Sequence, residues 1–461
     1  MTDSRARRWA ATSARVVIGT VLAVAAVIAV TLGIAAPWPT VSMQPASVQA
    51  TPAPSDSVAV CSGPLLALGR TVEDAGALSI AAPQDVVSGP ASSGAATDTL
   101  SAPADAQPVV VSAPPRNRMR ADLAASGSSS LADPDLRGFA ASACTPPLLE
   151  SWLVGGSSTT GANDLVVLSN PSDVAATVEL TVFGVTGPVV PPGGRDRVVP
   201  PRTQVVVALS GLAPDEAAPV IRVTASGAPV RASLQSSLIR VLVPGGVDQV
   251  GVVATPTSRQ VIPGISVVTE SDGSNPATVV RLLSPTADTE ATVSVSRVDD
   301  TAAATSSTVP LTAGVPSVLD LPGLAPGEYT VTVESPVPTV AAAWEATGFG
   351  EASDFAWYAA APEIAAPSLF AVPTGPSPSL TIANAGSDAT SVDVEDASGA
   401  AQTVDVPGGA SVSVPVEAGG IYRLVPAAPV HAAVGFSAAD ALASFPVWSA
   451  DAAAPSLTIY P

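Results

Sequence analysis

The stretch LVVLSNPSDVAATVEL, residues 165–180, places a polar Asn-Pro-Ser-Asp break between two valine-rich runs. Such a break reads as a tight turn between two strands, because Asn and Asp cap turns with their side chains and Pro pre-sets its own backbone. The architecture depends on whether the chain uses this plan more than once. It does: VVLSNPSDVAATVELTV (166–182) is matched by VRLLSPTADTEATVSVS (280–296) and by LTIANAGSDATSVDVED (380–396). Asn170, Ser284 and Asn384 take the same place. In each copy the run after the break alternates with period two, as in Val178, Leu180 and Val182. A strand with that pattern turns one face to a core and the other to water.

A second shared signal closes each unit. LSGLAPDEAAPVIRVTASGAPVRASL (209–234) parallels LPGLAPGEYTVTVESPVPTVAAAW (321–344) and the shorter VEAGGIYRLVPAAPVHAAV (416–434). Matching the valines aligns Val230, Ala232 and Leu234 with Val340, Ala342 and Trp344, and with Val430, Ala432 and Val434, so that all nine face cores. Phe355 and Phe445 continue the match, and Trp448 aligns with Tyr358. Units of about 100 residues built from short strands and frequent turns predict an all-β chain of tandem antiparallel, immunoglobulin-like β-sandwiches. The expected boundaries are 151–255, 256–366 and 367–461. A propeller is disfavoured, since its blades are shorter and more numerous.

Residues 61–150 do not match the unit. Two or three strand-like runs (LLALG, ALSIAA, PVVVSA) are separated by Ala/Ser/Gly/Asp-rich segments, and the composition of SGPASSGAATDT and AASGSSSLADPD predicts mobile loops. The segment reads as an irregular extension leaning on the first sandwich, with a separate small domain as the alternative.

At the N-terminus, residues 16–36 are uncharged and follow Arg5, Arg7, Arg8 and Arg15. Twenty-one residues at about 1.5 Å each reach roughly 30 Å, the thickness of a bilayer core. The positive-inside rule then leaves 1–15 in the cytoplasm and the rest outside. A cleaved signal peptide ending near Gly33 and Ala35 is the competing reading, although the apolar run exceeds the usual core of such a signal. Residues 37–60, rich in Pro, Ser, Thr and Ala, read as a spacer. The formal net charge is −20, with 19 basic residues against 39 acidic ones. That balance argues against nucleic acid, whose phosphates demand clustered basic residues.

SWLVGG (151–156), DLVVLSNPSDVAATVELTVFG (164–184) and GPVVPPG (187–193), following a membrane-anchor-like segment, resemble an uncharacterised actinobacterial family known only as a domain of unknown function. The resemblance runs from about Cys61 to the C-terminus. It implies a membrane-anchored, extracytoplasmic envelope protein without assigned activity, of a kind often encoded near cell-envelope glycosyltransferases. It supplies no catalytic residue.

The residues themselves offer little chemistry. There is one histidine and no lysine. His431 alternates with Val430 and Ala432, so it is expected on the solvent face of a strand, and no catalytic residue is assigned. Asp393, Glu395 and Asp396 could offer oxygens to calcium, but they read as a solvated edge and turn. No metal site and no cofactor are assigned. Aromatic residues are 4% of the chain, which makes Trp357, Tyr358 and Trp448 conspicuous. Trp357 and Tyr358 point to opposite faces of one strand, so one of them is expected exposed, where its ring could stack on a sugar. Cys61 and Cys144, the two cysteines, lie beyond the apolar segment and are expected to pair in one disulfide.

The resulting expectation is a non-enzymatic structural or interaction protein of the cell envelope. It would be held at the membrane by one N-terminal helix and would present its surface to a protein or glycan partner. The alternative is a carbohydrate-binding or glycan-assembly accessory module.

Overall fold

The repeated break owes its shape to one side chain. Asn170 donates from Nδ2 to the Val174 and Val199 carbonyls (2.8 and 3.0 Å), and its Oδ1 accepts from the Ser172 amide. Asn384 repeats the pattern with Asp388, Val406 and Gly386 (2.8, 3.1 and 2.9 Å). Ser284 closes the middle copy through the Ala287 carbonyl. Each of the three is buried, so the side chain both shapes the turn and satisfies carbonyls that water cannot reach.

The computed structural model describes residues 3–35, 48–50, 55–70, 76–89, 95–115, 120–270, 277–300, 303–450 and 457–459. Most of the spacer expected at 37–60 lies outside the described residues. The chain divides into two units, one of residues 1–52 with 456–461 and one of residues 53–455. The first contains a helix, Asp3–Ala35, and a short antiparallel ribbon of Val48–Ala50 with Leu457–Ile459. Within that helix Ala14–Ile34 has a mean hydropathy of 2.6, long and apolar enough to cross a membrane.

The second unit is all-β, and each copy of the repeat is a two-sheet antiparallel sandwich. In the first, Glu150–Val154, Val220–Ser226, Ala176–Gly184 and Gly187–Val189 form one sheet in that order; Thr203–Ala208, Leu165–Asn170, Arg231–Arg240 and Val243–Val250 form the other. Val178, Leu180 and Val182 from one sheet and Val166, Leu168 and Leu234 from the other belong to one buried hydrophobic core. Each such side chain contributes about 1.5–3 kcal/mol on burial. The third sandwich repeats this order with Ser368–Ala371, Ile421–Pro426, Thr390–Asp396 and Ala401–Val406 on one side, and with Ser411–Pro415, Ser379–Ala383, His431–Ala438 and Ala441–Pro446 on the other. In the second sandwich a single 20-residue strand, Gly327–Ala346, serves both sheets. Its first half pairs with Thr289–Arg297 and its second half with Thr278–Leu283.

Pairing corrects the alignment of the middle copy. Leu168, Leu282 and Ile382 lie opposite Ala232, Ala341 and Ala432. Leu234 and Val434 therefore correspond to Ala343, not to Trp344. The match holds on the prolines Pro229, Pro338 and Pro429, and the valine-based alignment is one residue out in the second copy. In a strand one residue exchanges the faces. Ala341 and Ala343 point into the core of the second sandwich, while Val340, Ala342 and Trp344 lie on its outer face. The same shift makes Tyr358, opposite Ala343, the counterpart of Phe445, opposite Val434. The expected matches of Phe355 with Phe445 and of Trp448 with Tyr358 do not hold.

The N-terminal part of this unit forms three small sheets, and the expected loop AASGSSSLADPD is largely a strand. Ala124–Ala132 is buried over most of its length and pairs with Asp85–Gly89 and with Arg137–Ala143. Small residues, which read as a loop by composition, here let backbones approach closely. The strand is tied to both ends of the unit: Ser128 donates to the Thr374 carbonyl (2.6 Å), and its neighbour Gly127 lies against Gln84. Phe139 packs its ring on Phe436 of the third sandwich at 5.5 Å. Cys61 and Cys144 are joined by a disulfide across 83 positions.

Candidate functional site: a cleft between the first and second sandwiches

The outer face of the second sandwich meets the edge of the first around a cleft of about 210 Å³. Its lining includes Asp164, Ser236, Arg281, Trp344, Phe355 and Trp357. Trp344 and Trp357 are directly opposite each other on neighbouring strands, and Trp344 lies 6.0 Å from Phe355. Trp344 is half-buried, whereas Trp357 is only 5% exposed.

Trp357 is covered from two sides. The Arg281 guanidinium lies 4.6 Å over its ring. Across it runs the backbone of Gly155, where a Cβ would sit 3.1 Å from the indole, so the Gly in SWLVGG allows the close approach. Arg281 is held in turn by the carbonyls of Gly156 and Pro219 (2.8 and 2.9 Å), while its buried Nε–H has no hydrogen-bond partner. Burial lowers its pKa to about 9. Asp164 accepts from the amides of Ser157 and Ser237 (2.6 and 3.0 Å). Burial outweighs those donors and pushes its carboxyl up to about 6. One wall is thereby built by the first sandwich and the floor by the second.

Behind the cleft is a junction of four segments. Asp354 is fully buried and accepts from the amides of Phe139 in the N-terminal segment, Val247 in the first sandwich and Leu442 in the third (2.9, 3.2 and 3.2 Å). Burial drives its carboxyl well above the usual range, opposed by these donors. Gly246 has φ +123°, and a Cβ there would meet the Asp354 oxygen at 2.6 Å. Asp248, also fully buried, accepts from the Trp357 and Gln249 amides, 2.8 Å each, and is pushed up to about 7 by burial.

The sequence-derived candidates fall apart in space. Trp357 and Tyr358 are both buried, contrary to the expectation that one is exposed. Their strand has the second sandwich's core on one side and Arg281 with Gly155 on the other, so neither face is open to water. Trp448 is half-buried and packs on the hydrophobic core, away from the cleft lining. His431, expected on a solvent face, is half-buried, and its Nδ1 lies 2.8 Å from the Ala361 carbonyl. Its counterparts are Arg231 and Val340, and desolvation lowers its pKa. Asp393 accepts from Thr403, and Asp396 accepts from Ser398 and Ala400 in its own turn. Asp164, Arg281 and the outward Trp344 were missed from sequence. Alignment on the shared prolines would have exposed Trp344, because its counterparts Gln235 and Gly435 are not core residues.

A family model described as a family of unknown function (DUF5719) matches residues 98–417. No curated protein matches the chain. Among solved structures, one titled "Biofilm associated protein - BSP domain" is similar at 10% identity with a TM-score of 0.14. The likeness covers 72% of this chain and 64% of that one, and at that score carries no functional argument.

Proposed function

Since the chain belongs to the DUF5719 family, whose function is unknown, we propose its role from its own build: a membrane-anchored, extracytoplasmic structural protein of the cell envelope, without enzymatic activity. The observation that carries this reading is the order of four arginines in the first half of the helix, the uncharged apolar stretch that follows them from residue 16, and a disulfide after it. Arginines ahead of the apolar segment favour an N-terminus in the cytoplasm, and disulfides persist in oxidising compartments. The excess of acidic residues in the part beyond the helix suits an exported surface that stays soluble.

A structural role is supported by how the shifted groups are used. Asp354 and Asp248 spend their oxygens on backbone amides of neighbouring modules, Asp164 on two amides of its own sandwich, and His431 faces a backbone carbonyl. These are the contacts of a stiff array presenting a fixed surface to an envelope partner.

Protease added to wall-stripped intact cells tests the placement. Everything beyond Ala36 should be digested while residues 1–15 survive in the membrane fraction. A mature chain found free in the medium and starting near Ala36 would sink the anchored reading.

A further inference from the structure

The repeat itself shows that the tryptophan pair at the cleft is not required by the fold. At the place of Trp344 the first sandwich has Gln235 and the third Gly435; at the place of Trp357 they have Gln249 and Ser444. Both glutamines serve a neighbour: Gln235 bonds the Leu66 amide and carbonyl, and Gln249 the Gly63 carbonyl. The outer face of this sheet thus carries whatever the adjoining partner requires. In the second copy protein covers Trp357, but part of the Trp344 ring stays open on the cleft floor.

We propose that this cleft binds a single pyranose ring, its apolar face stacked on Trp344 and its hydroxyls meeting the polar side chains of Asp164, Ser236 and Arg281 that line the same cleft. The volume, below the roughly 300 Å³ at which pockets for drug-sized ligands begin, holds one ring rather than a chain or a nucleotide. Mostly apolar walls with a few convergent polar groups are what fixes a small ligand's orientation. Charge selects the class: Arg281 opposes a cation, the Asp164 carboxylate opposes an anion, and a neutral polyol meets neither penalty. A pyranose face built of axial C–H bonds suits the indole, since the negative face of the ring attracts polarised C–H groups.

The inference goes beyond the anchoring reading and is tested separately from it, because fractionation is indifferent to sugar binding. Full-length protein labelled with 5-fluorotryptophan, in a detergent without a sugar headgroup, is titrated with the methyl glycosides of glucose, mannose, galactose and N-acetylglucosamine. Inorganic phosphate and tetramethylammonium serve as charged probes. The Trp344 fluorine signal, assigned by its loss in Trp344→Tyr, should move saturably with at least one glycoside and with neither ion. Trp344→Gln, the residue of the first copy, should weaken binding at least tenfold, Trp344→Tyr should retain most of it, and Trp448→Phe should change nothing. A polysaccharide carrying the bound unit internally competes if the site takes part of a glycan, and fails to compete if it takes a free or terminal sugar. No shift of Trp344 in the unaltered protein with any glycoside overturns the proposal, whatever the variants do. So does stronger binding of either ion.

Discussion

The carboxylate of Asp354 accepts the backbone N–H of Phe139 at 2.9 Å, joining positions 215 apart in the chain. Val247 and Leu442 donate to the same carboxylate, so a single side chain holds strands of four different segments.

Asp354→Ala should therefore cost about 3–5 kcal/mol, because it strands three buried amides at once. Urea unfolding followed by tryptophan fluorescence should show an earlier midpoint and a split transition. A single transition at the wild-type midpoint would contradict the junction.

Removal of the Cys61–Cys144 bridge acts on the unfolded chain. A loop of this length contributes about 4–5 kcal/mol in the chain-entropy model. Mass spectrometry of unreduced peptides should find the 61–144 link, and Cys61→Ser with Cys144→Ser should melt well below the parent. Quantitative labelling of both thiols without reductant would show that the bridge is absent.

Glu345 sets a pH dependence. It is fully buried in the second sandwich, with Thr278 donating to one oxygen and the other unpartnered, and burial pushes its pKa up to about 8. The folded chain then holds a proton that the unfolded chain releases above its ordinary value of 4.5. This stability is complete below that value and is lost as pH rises through about 8, at up to about 1.4 kcal/mol per pH unit. Glu345→Gln should flatten the fall in unfolding midpoint between pH 5 and pH 8.5. An identical slope in the variant would remove Glu345 as its source.

The corrected register makes two aromatic residues unequal. Tyr358, 1% exposed, should cost about 3–5 kcal/mol as Tyr358→Ala. Trp344→Ala, from a half-buried outer face, should cost about 1–2 kcal/mol. Thermal melts that rank them in the opposite order would restore the valine-based alignment.

The sandwiches were legible because the turn chemistry of Asn170 and Asn384 and the period-two runs beside them are local, and they recur. Facing was not secure where alanines fill consecutive positions. Ala341, Ala342 and Ala343 are all buried, one face against the core and one against a neighbouring module, so alternation leaves no trace in the residue types. For the same reason Ala124–Ala132 reads as a loop until its neighbours are known. The cleft was the least legible part, since Asp164, Arg281 and Trp344 come from separate strands and acquire meaning only when two sandwiches meet. The roles of Asp164, Asp248 and Asp354 were not legible because their partners are backbone amides, which every sequence possesses.

The contact between Phe139 and Phe436 sets an order of events. A chain made from its N-terminus at about 5–20 residues per second presents Phe139 roughly 15–60 s before Phe436 exists. The first part of the β unit to emerge is thus the last to find its full set of neighbours, and until then its small-residue strands have little to lean on. During that wait the Cys61–Cys144 link can already form, because both cysteines precede the repeats. The bridge then acts as a time-keeper, holding the first segment in a closed loop until the third sandwich arrives to finish the structure.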